Sequence, residues 1–416
     1  MASIGWSLYK PSTRLLVAAS GSRTMRRLQG YFLCPKIYMG SLALSTTLLG
    51  LSSLMKKKRA FIVTDKAIRK LAEEVLPVFR LFGFEVYLCD KAEPEPPIGV
   101  VEEIAREMLQ FEPDLIVAVG GGSAIDSAKG AWLKYEFPNL DIGSPVPLTT
   151  IGLRSKAILM AIPTTAGTGS EATAALVLTD TTTDPPRKVA HLHQELVPDL
   201  AILIPEMTME MPKELTIGTA LDVLAHAFDS YINRNWANPL TDSLSIGAIK
   251  TVFKNLPKVL EDPRNFEARF NMQIAATMGG LAFSNASVGL THALGHAIGK
   301  VFRIHHGKAV GITIPYVLNF IAHVDDGYLN LAEELGIHDG DRLEKLTRKF
   351  VDFIESLGVS ITLKAYVNEE EFKKNLEIVA KYAFEDPTTA QSIRQPGVDE
   401  MRKLVEYVYY GRMPDW

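Results

Sequence analysis

Cysteine is scarce, with two residues, Cys34 and Cys89, in a chain of 416. That excludes a disulfide-stapled fold and a thiolate metal or redox centre, and it fits a reducing compartment. Strong charge of one sign is also lacking. The net charge is −4, the pI is near 6.2, and most Lys and Arg are interspersed with acids. No field exists that would gather nucleic acid, so small-molecule partners are favoured. The longest membrane-like run, Tyr38 to Met55, carries six Ser and Thr residues and leads straight into a strand-like RAFIVT, which weighs against an anchor. Internal repeats and low-complexity segments are absent. Acids are missing from the first 64 residues, which carry Lys10, Arg14, Arg23, Arg26, Arg27, Lys36 and the run KKKR from Lys56 to Arg59. Such a basic, Ser-rich start resembles an organelle transit segment, so a cytoplasmic protein is expected, with an organellar matrix as the alternative.

What is present is apolar material, 47% of residues, enough for two or three domains. From Arg59 the chain alternates between two periods. RAFIVT (59–64), FEVYLC (84–89) and DLIVAV (114–119) read as buried strands, separated by helical stretches from Lys66 to Phe82, broken at Pro77, and from Ile98 to Phe111. KAILMAIP (156–163), TAALVLT (173–179) and LAILIP (200–205) continue the strand content. Continuous apolar strands alternating with helices argue for a doubly wound parallel sheet, a Rossmann-like α/β domain. After Pro212 only long amphipathic stretches follow. The expected organisation is a basic extension over 1–30, a dinucleotide-binding α/β domain over 31–212 and an all-helical domain over 213–416.

Two loops carry the first chemical signal. VAVGGGSAIDSAKG (117–130) puts Gly120, Gly121, Gly122 and Ser123 where a buried strand gives way to a helix, so backbone N–H groups can close on a phosphate. The spacing is not G-x-G-x-x-G, and a plain tight turn explains many such glycine runs. AIPTTAGTGSEAT (161–173) adds hydroxyls at Thr164, Thr165 and Thr168, suited to a ribose, phosphate or carboxamide, or to a polar surface loop. Asp65, closing the first strand, is placed either to accept from ribose hydroxyls or to cap the following helix.

The second signal is imidazole. Four of the nine histidines fall within fifteen positions, His292, His296, His305 and His306. His292 and His296 share a helix face, as do Asp222 and His226 in TALDVLAHAFDSYI. One such histidine alone is more often a core residue. Two i, i+4 pairs in apolar helices call for compensation that a divalent ion supplies, and an O/N donor set without thiolate suits Fe2+, Zn2+ or Mn2+. His305 or His306 offers a further ligand, and spacing does not choose between them.

These motifs, FIVTDK, GGGSAIDSAK, PTTAGTGSEAT, DVLAHAFDSY and GLTHALGHAIG followed by HHG, resemble those of the iron-containing (group III) alcohol dehydrogenases from about residue 31 onward. KRAFIVTDK and WLKYEFP are also similar to the alcohol dehydrogenase portion of bifunctional aldehyde–alcohol dehydrogenases. The resemblance implies a dehydroquinate synthase-like architecture and Asp222, His226, His292 and His306 as metal ligands, with His296 beside the metal as a catalytic proton relay. It further implies NAD, with NADP the alternative, at Asp65, Gly121, Gly122, Ser123, Asp126, Thr164, Thr165, Thr168 and Lys188. The implied reaction is reversible hydride transfer between a primary alcohol or diol and its aldehyde, in a protein compatible with a homodimer and requiring neither membrane nor nucleic acid. A dehydroquinate synthase-like or glycerol dehydrogenase-like enzyme is the alternative, and a non-enzymatic metal-binding protein would have no need of the glycine and threonine loops. The chain departs from the family at Ile204, where Asp is usual, and in the absence of acids over 40–55.

Overall fold

The computed structural model describes residues 32–142, 150–182, 187–233 and 236–416; the extension read over 1–30 lies outside them. The chain forms two compact units, one of Leu33–Met211 with Pro263–Thr277, the other of Pro212–Asp262 with Met278–Trp416. Pro263–Thr277 thus clusters with the first unit although it lies beyond residue 212 in sequence.

The first unit is built on a parallel sheet. Its strands are β1 (Lys36–Met39), β2 (Arg59–Asp65), β3 (Glu85–Ala92), β4 (Leu115–Gly120), β5 (Ile158–Pro163) and β8 (Leu200–Leu203), in the order β1-β8-β5-β4-β2-β3. Side chains alternate between its faces. Phe61, Val63, Ile116, Ala118 and Leu159 join one buried cluster, and Ala60, Ile62, Leu115, Val117 and Met160 join the other. Both faces are covered, which is why these strands read as unbroken apolar runs. Helices α1 (Ala43–Leu51), α2 (Arg69–Glu73), α3 (Leu76–Leu81), α4 (Ile98–Phe111) and α5 (Gly122–Glu136) connect them. The break expected at Pro77 falls between α2 and α3, with the proline in the first turn of α3, where its missing N–H costs nothing.

Strand order determines where a ligand fits. β3 pairs with β2 on one side and β4 pairs with β2 on the other, both in parallel. The chain therefore reverses direction across the sheet between β2 and β4, and a parallel sheet opens a crevice beyond the carboxyl ends of its strands at such a point. Asp65 ends β2 and Gly120 ends β4.

One feature differs from the sequence reading. The segment 173–179 does not extend the parallel sheet: β6 (Ala175–Asp180) pairs antiparallel with β7 (Arg187–Leu192) in a separate two-stranded sheet. The run Tyr38–Met55 is divided between the end of β1 and the nine-residue α1, and among the described residues no helix is long and apolar enough to cross a membrane.

The second unit is helical, with α6 (Lys213–Asn233), α7 (Pro239–Glu261), the C-terminal part of α8 (Phe266–Ala286), α9 (Leu290–Phe302), α10 (His306–Ala322), α11 (Tyr328–Glu334), α12 (Arg342–Ser356), α13 (Glu369–Glu385) and α14 (Val398–Tyr410). Glycines let its central helices approach closely. A Cβ on Gly295 of α9 would meet the Val310 backbone of α10 at 2.8 Å, and one on Gly311 of α10 would meet Leu221 of α6 at 2.9 Å.

In the first unit, the largest fully buried side chain is that of Trp132 on α5, whose Nε1–H donates to the Ala157 carbonyl at 3.0 Å. Trp132→Phe leaves that carbonyl unpaired and part of the indole volume empty. It is expected to cost about 2–3 kcal/mol. The check is a lower urea midpoint at unchanged slope; a shift worth under about 0.5 kcal/mol would mean the core closes over the gap.

Candidate metal and cofactor sites

On α6 a run of polar residues crosses an otherwise apolar face. Asp222, His226 and Asp229 stand at i, i+4 and i+7, all buried. His292 and His296 come from α9, and His306 opens α10. Among the described residues, one group has the donor spacing of a metal site: atoms of Asp222, His292 and His306 all lie within 4.8 Å of one another. His306 Nε2 is 3.2 Å from Asp222 Oδ1, and His226 Nε2 is 3.8 Å from the same oxygen. His226 stands outside the tight group of three, its ring stacked on His292 at 4.8 Å and on Phe283 at 4.3 Å.

Unsatisfied atoms show what the group lacks. Asp222 Oδ1 and His292 Nε2 are buried and make no hydrogen bond. Asp229 Oδ2 accepts from His292 Nδ1 at 2.8 Å, from Gly289 N at 2.8 Å and from His292 N at 3.2 Å. The proton therefore sits on Nδ1, and the Nε2 lone pair faces the group. Burial would raise the Asp222 carboxyl, but His226, His306 and His292 outweigh it and hold it well below the usual carboxylate range. Burial pushes His226 down to about 3 and His306 below its ordinary value, leaving both imidazoles free to donate a lone pair at neutral pH. A divalent ion fits this set: it would satisfy the orphaned donors and the enclosed charge together.

The approach of His306 to Asp222 depends on two glycines. A Cβ on Gly307 would lie 3.2 Å from Asp222 Cβ and inside the Gly218 carbonyl group. Glycine at 307 is thus a steric requirement of that approach; His306 lies in the group, and His305 lies against Gly218.

His296 pairs through Nδ1 with Asp386 Oδ2 at 2.9 Å and stacks on His306 at 5.2 Å. The Asp386 carboxylate is fixed in turn by Thr388 N at 2.9 Å and Thr388 Oγ1 at 2.6 Å. Sequence reasoning missed Asp229 and Asp386. A signal existed for Asp229, a third polar residue on the Asp222 and His226 face. None existed for Asp386, ninety residues from its partner.

In the first unit, Gly121 precedes α5 in an extended conformation, and no side chain caps the helix N-terminus. A Cβ on Gly121 would meet Thr165 Cγ2 at 3.2 Å, and one on Gly122 would meet Thr168 Cγ2 at 2.9 Å. The glycine turn and threonine loop are therefore in direct contact, joined by the bond from Thr164 N to the Gly120 carbonyl at 3.0 Å. Gly121, Gly122, Ser123, Thr165 and Thr168 remain partly exposed. This cradle of free N–H groups and hydroxyls fits a pyrophosphate-bearing cofactor. Asp65 Oδ1 accepts from Ala67 N at 2.8 Å and Ile68 N at 3.2 Å, closing a turn; the N-cap position of α2 is Ile68, which makes no side-chain cap. Asp126 faces inward and accepts from Val177 N at 3.1 Å, and Lys188 stands on β7 with Nζ 3.0 Å from Glu95.

A cradle suited to a nucleotide on a parallel sheet and a donor set suited to a divalent ion in a helical unit point to the class of metal- and nucleotide-dependent enzymes. Comparison makes the class specific. Residues 34–205 match the iron-containing alcohol dehydrogenase family model, and residues 216–409 match the C-terminal model of the Fe-containing alcohol dehydrogenase family. The chain is 36% identical to the NADPH-dependent butanol dehydrogenase of Clostridium saccharobutylicum over 87% of its own length and 94% of that protein's. It is 31% identical to the bifunctional aldehyde-alcohol dehydrogenase of Escherichia coli, over 85% of this chain and 43% of that one. The iron-containing alcohol dehydrogenase structure from Thermococcus thioreducens superposes with a TM-score of 0.82 at 30% identity, covering 92% of this chain and all of that one. This chain belongs to the iron-containing alcohol dehydrogenase family and is an oxidoreductase interconverting alcohols and aldehydes.

Gly307→Ala is expected to force α10 away from Gly218 and lower metal affinity at least about tenfold, the scale seen when ligand positioning is lost. Gly99→Ala, with no atom within 4 Å of its Cβ, serves as control. Metal per chain after dialysis against a graded chelator reads the effect; equal retention by both variants would remove the steric requirement.

Proposed function

We propose that the chain transfers hydride reversibly between a primary alcohol or diol and the corresponding aldehyde, with NAD as carrier and one divalent ion. Fe2+ follows from the family's name, and Zn2+ or Mn2+ share its preference for O/N donors. The observation that carries the reading is the convergence of Asp222, His292 and His306 around unpartnered donor atoms. His226 completes the proposed ligand set. When bound, the ion supplies Lewis acidity toward the alcohol or aldehyde oxygen, and the nicotinamide accepts or returns the hydride.

The remaining roles fall to the chain's own groups. Asp229 holds the His292 ring in register and in the required tautomer. His296, with Nδ1 tied to Asp386 and its side chain 38% exposed, passes the hydroxyl proton toward solvent through Nε2. Gly121, Gly122 and Ser123 offer N–H groups to the pyrophosphate, while Thr164, Thr165 and Thr168 line the cofactor from the other side. Asp65 receives the adenosine ribose; Asp126 acts from within the fold and Lys188 from the exposed strand β7. The protein is assigned to the cytoplasm, with an organellar matrix as the alternative carried by its basic first thirty residues.

Two variants test the assignment. His292→Ala is expected to lose the ion and, with it, alcohol-dependent NADH formation; full metal occupancy in that variant would falsify the ligand set. Asp65 decides between NAD and NADP, a choice made pointed by the NADPH dependence of the butanol dehydrogenase relative. Its carboxylate accepts from a ribose diol and repels a 2′-phosphate. Asp65→Gly is expected to raise kcat/KM with NADP by about ten- to a hundredfold. If the carboxylate serves only its turn, the NAD to NADP ratio will stay fixed while the melting temperature falls.

A further inference from the structure

A buried ionic cluster in the first unit lies apart from the metal group and beneath the exposed cradle, reaching the cofactor residues only through Asp126, the strongest charged neighbour of Lys129. Lys129, on α5 two turns beyond the glycines, has no exposed surface, and Glu171, Gln273 and Thr277 are exposed by 3% or less. None of the four can touch a bound solute. The Lys129 ammonium donates to the carbonyl oxygens of Thr173 and Ala175, both at 2.8 Å, and to Thr173 Oγ1 at 3.2 Å. Glu171 Oε1 accepts from Thr277 Oγ1 at 2.7 Å. Gln273, one turn earlier on α8, donates through Nε2 to the Pro163 carbonyl at 3.1 Å.

These bonds end on either side of the threonine loop. Pro163 immediately precedes Thr164, while Glu171, Thr173 and Ala175 follow shortly after Thr168. The threonine loop is thus fixed at both ends by side chains beneath it. One of its anchors, Lys129, rides on the same helix whose N-terminus carries Gly122 and Ser123. An enclosed ammonium and carboxylate stabilise a core no better than apolar residues of like volume. What they add is direction, because each hydrogen bond specifies where a carbonyl stands.

We propose that Lys129, Glu171 and Thr277, aided by Gln273, are positioning residues for the dinucleotide. They hold the Thr164–Thr168 loop at the depth where its hydroxyls and the glycine-turn N–H groups engage one cofactor, and they set cofactor affinity without touching it. This rests on the reading of that loop as the NAD(P) site.

The test is NADH fluorescence titration of the full-length, metal-loaded protein, with kcat and metal content measured alongside. Thr277→Val removes the hydroxyl at constant shape, and Thr277→Ser retains it. Loss of one such bond is expected to weaken NADH binding about three- to tenfold in Thr277→Val, with Thr277→Ser within about twofold of the parent. Lys129→Met, which frees three acceptors, is expected to weaken it more than about tenfold. In each variant kcat at saturating cofactor and metal per chain should hold. Unchanged NADH affinity in Thr277→Val, whether or not its melting temperature falls, overturns the positioning role, and this pair decides the matter if Lys129→Met does not fold. Thr168→Val on the loop itself separates the positioning role from the cofactor site. Weakening there without weakening in Thr277→Val rejects the positioning alone; no weakening in Thr168→Val rejects the cofactor site.

Discussion

The second unit depends on one constraint: Asp222 is a carboxylate enclosed by apolar helices, and it stays ionised. Burying such a charge without compensation is strongly unfavourable. Neutral imidazoles leave that charge uncompensated and turn lone pairs toward it, an arrangement that a bound cation would complete. The glycines of α9 and α10 follow from this requirement. Bulkier residues would keep the helices too far apart for donors from three of them to meet. Asp229 follows too, since an unrestrained His292 ring would present either nitrogen.

A different economy governs the first unit. Parallel strands buried on both faces leave only their ends for chemistry, and the reversal of strand order between β2 and β4 determines which ends are open. The elements that reach that edge are short and small: Asp65, the three glycines and the threonine loop. Gly121 and Gly122 each answer a threonine side chain in contact with them, Thr165 and Thr168, whereas Gly120 makes room for Ala124 of the helix that follows.

Much of this was legible in the sequence because burial on both faces writes itself as continuous apolar runs. β1 was not legible: it has four residues, and both of its terminal side chains are exposed. β7 was hidden by the charged residues of RKVAHL, and the pairing of β6 with it reflects a tertiary choice that periodicity does not encode. The i, i+4 pairs pointed to Asp222, His226 and His292, whereas His306 was separated from His305 only by resemblance to the family. The close approach of Gly307 to Gly218, which brings His306 to Asp222, needs two helices in place. Asp386 left no local trace, because its partner His296 lies far off along the chain. Asp126 and Lys188 were expected near the cofactor; the fold pairs the first with Val177 and the second with Glu95.

The proposed donor set of Asp222, His226, His292 and His306 is tested most directly at the ion it would hold. X-ray absorption at the K-edge of the ion bound to the purified protein measures that set. One ion per chain with a first shell of light N/O donors at about 2.0–2.2 Å, and multiple scattering from imidazole, is the result this structure predicts. A sulfur shell near about 2.3 Å, or a shell without imidazole scattering, would contradict it.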